Sequence, residues 1–135
     1  MISALHVATG ALAGALIDSR AAALASGPPL HLACDAVPHH DTPNRRFEIA
    51  SGVCALLVLT LSRGPLDPAT LGGGAAAAAD LEHVFAPLRP RGRKVFHDRL
   101  GWHRSGGLGT GIQFLAAGAI IGALVRVPQP LLHRR

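Results

Sequence analysis

The chain is short of charge, and shorter still of aromatic side chains. Of its 135 residues, 16% are Asp, Glu, Lys or Arg and 4% are aromatic, with no Tyr; an ordinary soluble domain carries roughly 25% charged residues. With so few rings there is little for nucleobases to stack on. A sequence pI of about 11.0 and a net charge of +5 therefore argue only weakly for nucleic acid. Cysteine is sparse too. Cys34 and Cys54 form neither a CxxC pair nor a zinc-knuckle spacing, and both lie in apolar runs, where a free thiol behaves as a small hydrophobe. Intrinsic disorder is excluded, because it needs low hydrophobicity, whereas 49% of this chain is apolar. The apolar start, Met1 to Ile17, lacks a basic n-region and a small-residue cleavage site, so it reads as a retained first helix rather than a cleaved leader.

What is present is small and apolar: 16 Gly and several alanine runs, punctuated by 10 Pro. Such residues suit helices packed backbone to backbone, in or against a membrane. His6, Gly10 and Gly14 recur four apart on one helical face. Ser26-Gly27-Pro28-Pro29 reads as a breaker, followed by a short helix over Leu30 to Val37 and a polar turn from His39 to Asn44. A further apolar stretch covers Ile49 to Ser62. Asp67-Pro68 signals a helix start, and that helix runs over Gly72-Gly73-Gly74 to about Phe85. Gly106 to Val125 is a 20-residue apolar run with only Thr110 and Gln113 polar, the best candidate for a membrane span. The pattern predicts an all-α fold, a compact membrane-embedded bundle of four to five short helices. It forms one domain over 1–135, with a basic loop at 87–105 and a short basic tail at 126–135. Arg89, Arg91, Arg93, Lys94, Arg99 and Arg104 crowd that loop. Their charge orients it to the cytoplasmic side of an inner (plasma) membrane, with membrane lipid as a partner.

Eight histidines in a chain this poor in polar residues invite a chemical reading. His31 and Asp35 are four apart, and Asp80 and His83 three apart, so each pair shares a helical face. His39, His40 and Asp41 sit in the turn after the first pair, His6 lies on the small-residue seam, and His103 precedes the last helix. Imidazole and carboxylate together suit a divalent ion, Zn, Fe, Mn or Ni alike. Taken singly, each has a plainer reading. A lone His-x-x-x-Asp is more often a surface hydrogen bond, Asp67 is a helix cap, Asp98 balances nearby arginines, and His97 and His133 are solvated. The conjunction of three segments favours one shared site.

His31 to Asp41, H-x3-D-x2-P-H-x-D, resembles the hallmark of small bacterial inner-membrane proteins of the YdjM-like family, commonly labelled metal-dependent hydrolases. His6 with Gly10 and Gly14 is similar to that family's first motif, and Ala79-Asp80-Leu81-Glu82-His83 to its later P-D-x-D-H. His103-Arg104-Ser105-Gly106-Gly107-Leu108 is similar to the start of H-R-G-x-T-H, with Leu108 in place of its last His. The resemblance implies a helical membrane protein with a His/Asp metal centre. His6, His31, Asp35, Asp80 and His83 then hold a divalent ion such as Zn, and His39 or Asp41 serves as general base or orienting group. His40, Glu82 and His103 stand around them. The activity expected is hydrolysis of a phospho- or ester-bearing lipid or other membrane-adjacent molecule. The alternative is a non-catalytic membrane protein in which the same cluster is a structural polar or metal knot.

Overall fold

A computed structural model of the chain describes residues 1–100 and 103–127; the tail beyond them, His133 included, lies outside the described residues. The fold is all-helical. The α-helices are α1 (Ser3–Ile17), α2 (Arg20–Asp35), α3 (Arg45–Arg63), α4 (Pro68–Ala77) and α5 (Thr110–Arg126). Between α4 and α5 the chain makes short 3-10 turns, the first over Ala78–His83, and a π turn over Val95–Arg99.

The first helical break falls at Asp18 and Ser19, not at the prolines. Asp18 takes a left-handed conformation (φ 53°), and the Ser19 side chain accepts from the Ala22 amide to start α2. Pro28 and Pro29 lie inside α2. The carbonyls they leave without a donor, those of Leu24 and Ala25, belong to exposed residues, where water replaces the missing bond.

The closest packing joins α1 to α4. A Cβ on Gly10 would strike the Gly72 carbonyl, and one on Gly14 the Pro68 carbonyl. The glycine triplet of α4 thus gives up helix propensity, about 1 kcal/mol per residue, and α1 can lie directly on its backbone. His6, one turn before Gly10, is fully buried as a result. At the start of α5 the buried Gln113 accepts from the Ile2 amide (3.0 Å) and donates to the carbonyls of His40 (2.8 Å) and Leu108 (3.0 Å).

Among the described residues no helix is long and apolar enough to cross a membrane. The apolar run expected to span begins instead as a turn, with Gly106 and Gly107 at φ 96° and 80°. What remains, α5, has 17 residues. The 19-residue α3 opens on Arg45 and Arg46 and carries Glu48 in its first turn. These features overturn the membrane-embedded bundle and the inner-membrane location. They also overturn the cytoplasmic placement of loop 87–105, which rested on helices that cross. Several large apolar side chains lie on the surface, Leu61, Leu16 and Leu115 being the most exposed.

Candidate metal centre

One end of the fold gathers most of the chemistry. The N-terminal turn of α1 brings Ser3 and His6, and the last turn of α2 brings His31 and Asp35. The link from α2 to α3 carries His39 and Asp41, and the 3-10 turn after α4 carries Asp80, Glu82 and His83. All five residues expected to hold metal meet here. His6 Nε2 lies 3.1 Å from Asp35 Oδ1, His31 Nε2 lies 3.4 Å from Asp35 Oδ2 and 4.0 Å from Asp80 Oδ1, and His83 groups with Asp80. His40 is exposed and contributes backbone, its amide donating to the Leu108 carbonyl.

Sequence reasoning missed two residues. His97, read as solvated, is drawn in by Glu82. That carboxylate is 3% exposed and accepts from the amides of Val95 (2.7 Å) and His97 (3.0 Å) and from His97 Nδ1 (2.5 Å). His97 Nε2 then stands 3.5 Å from Asp35 Oδ2 and 3.6 Å from Asp80 Oδ1. Glu48 is the other. It lines a cavity of about 250 Å³ together with Arg45, Asp80, His83 and His97. A lone acid just before the apolar stretch Ile49 to Ser62 was the one signal the sequence offered for it.

The hydrogen bonds settle which ring nitrogens face inward. His31 Nδ1 donates to the Ala76 carbonyl (2.9 Å) and His39 Nδ1 to the Val37 carbonyl (2.6 Å); a carbonyl only accepts, so each neutral ring presents a bare Nε2. His97 follows the same pattern through Glu82. His31 Nε2 is buried and makes no hydrogen bond, and the same holds for His6 Nδ1. Bare nitrogens and carboxylate oxygens are all acceptors, and acceptors brought this close repel unless a cation lies between them. For bonds of about 2.0 to 2.2 Å, the ligands of a tetrahedral ion stand about 3.3 to 3.6 Å apart. Four of the edges defined by His31 Nε2, His97 Nε2, Asp35 Oδ2 and Asp80 Oδ1 measure 3.4, 3.5, 3.6 and 4.0 Å. His31, Asp35 and His97 form one set whose ligand atoms all lie within 4.8 Å of one another, with Asp80 beside it, and these donors fit a divalent ion. The Glu82–His97 and Ala76–His31 bonds are the outer contacts that fix ring orientation at such centres.

No known protein family, curated protein or solved structure matches the chain.

Electrostatics keeps the cluster ready for a cation. Burial holds the His6 and His39 imidazoles below their usual value. Burial, with the charge of Lys94, lowers His83 to about 4. Burial alone would raise Asp35, but the hydrogen bond from His6 Nε2 and the Met1 α-ammonium hold it well below the carboxylate range. The imidazoles thus keep their lone pairs while the carboxylate keeps its charge. Glu48 behaves oppositely. Burial and the charges of Asp80 and Asp41 raise it to about 7, where a carboxyl can both take and give a proton at neutral pH.

Proposed function

We propose that the protein is a metal-dependent hydrolase whose divalent ion, Zn or another ion suited to imidazole and carboxylate, is held by His31, His97, Asp35 and Asp80. The observation that carries this reading is the buried, bare Nε2 of His31, aimed at two carboxylates. The chemistry such an ion supplies when bound is Lewis-acid activation of water and of the bond to be broken. His6, stacked on His31 with ring centroids 3.9 Å apart, holds that ring in place. Glu48 takes the proton of the attacking water on its carboxylate and returns it to the leaving oxygen. Arg45, on the same cavity wall, offers its guanidinium to an anionic oxygen of the substrate. An apolar cleft of about 200 Å³ shares Ser3, Ile49 and Asp80 with that cavity. The substrate class this favours is an ester or phosphoester bearing an apolar group.

A second reading, a structural knot, has one observation in its favour. Asp35 joins several segments at once, bonding the Met1 α-ammonium (2.7 Å) and His6 through its side chain and the Arg104 amide through its carbonyl. The experiment that separates the two readings strips the purified protein with a chelator and reloads it with Zn(II) or Mn(II). Bound metal is then counted, and turnover of bis(p-nitrophenyl) phosphate and p-nitrophenyl hexanoate is followed. A hydrolase retains metal, and Glu48→Gln keeps the metal while losing about 100-fold in rate. Metal that raises the melting temperature without turnover supports a metal knot, and failure to retain metal overturns the hydrolase and leaves a purely polar knot.

A further inference from the structure

His39, Asp41 and His103 lie beside the centre yet have no part in holding the ion there. The two oxygens of Asp35 have different neighbours. Oδ2 meets His31 and His97, whereas Oδ1 meets His6 Nε2 (3.1 Å) and lies 4.0 Å from His39 Nε2. His39 Nε2, bare because Nδ1 is engaged with the Val37 carbonyl, stands 3.2 Å from Asp41 Oδ1. The other oxygen of Asp41 is 3.1 Å from His103 Nε2, and His103 Nδ1 is 3.9 Å from Asp35 Oδ2. Backbone bonds pin these residues. His39 N donates to the Arg104 carbonyl, Gly106 N to that of His39 and Leu108 N to that of Pro38. The position between them accepts positive charge, since the Met1 α-ammonium donates to Asp35 Oδ1 and His39 Nε2 and lies 3.7 Å from Asp41 Oδ1.

We infer that the site takes a second divalent cation at this outer position, held by His39, Asp41 and His103, with the Asp35 carboxylate bridging the two ions. The inference rests on the inner position binding metal as proposed above. Paired ions about 3.5 to 4 Å apart clamp the attacking and leaving oxygens of a displacement, and a carboxylate that binds through both of its oxygens spans such a distance. The outer position also borders the open cavity, whose lining includes Asp41 and His103, so an ion there exchanges readily with solvent. An arriving cation displaces the α-ammonium.

The test is metal stoichiometry with Mn(II), read by equilibrium dialysis and by electron paramagnetic resonance on the full chain. Two ions per chain with an exchange-coupled signal are expected for the parent. The pair Asp41→Asn, His103→Gln is expected to bind one ion with an uncoupled signal, its circular dichroism unchanged. One ion in the parent, or two in the pair, overturns the second position while leaving the inner one standing. No ion in the parent removes both. Should the pair fail to fold, the parent's coupled or uncoupled signal decides alone.

Discussion

The centre is made of two unlike halves. His6 comes from α1, which lies on α4 along a glycine seam, His31 and Asp35 come from α2, whose Gly27 also rests against α4, and Asp80 follows directly on α4. His97 and His103 come from the irregular stretch between α4 and α5. The helical half is positioned by the packing of the whole fold. The irregular half is positioned by a few hydrogen bonds, those to Glu82 above all. The same type of side chain is thus held by a global constraint on one side and by a local one on the other, so the two sides should fail differently.

The largest effect is expected at the seam. Gly10→Leu drives a side chain into the Gly72 carbonyl and should cost about 3 kcal/mol, with metal binding lost as α1 lifts off; urea unfolding and dialysis measure both. Next comes Asp35→Asn, which removes a proposed ligand and should weaken Zn(II) binding more than 100-fold in a competition titration with a chromophoric chelator. Glu82→Gln attacks the local half. It should weaken binding by about 10- to 100-fold while the melting temperature of the metal-free protein stays near that of the parent. Equal damage from Gly10→Leu and Glu82→Gln to the metal-free fold would erase the distinction between the halves. The smallest effect is a pH dependence. Glu48 has its folded-state pKa raised from 4.5 to about 7, so its contribution to stability is present below pH 4.5 and is lost as the pH rises towards 7. In chelator, Glu48→Gln should therefore melt higher than the parent at pH 8 and together with it at pH 4.

The same division decides what could be read in advance. His31 and Asp35, or Asp80 and His83, announce themselves by spacing, because a helix converts sequence intervals into shared faces. The all-helical class and the packing role of Gly10 and Gly14 follow from the same periodicity. His97 could not be found this way. Its place depends on Glu82, fifteen residues earlier, through bonds that no local pattern encodes. The membrane span failed for a related reason. Hydropathy counts Gly106 and Gly107 as part of an apolar run, but their positive φ makes them a turn. The two prolines of α2 misled in the opposite direction, since a helix tolerates them where its freed carbonyls reach water.

Gln113 carries a consequence for how the site reports on itself. All three of its strong bonds are committed, one to the Ile2 amide and two to carbonyls in the backbone around the His39–Asp41 turn. Hydrogen exchange at the Ile2 amide is therefore governed by the opening of a side-chain clamp that belongs to α5 but grips the ligand turn. A single slow proton near the beginning of the chain becomes a clock for motions of the centre.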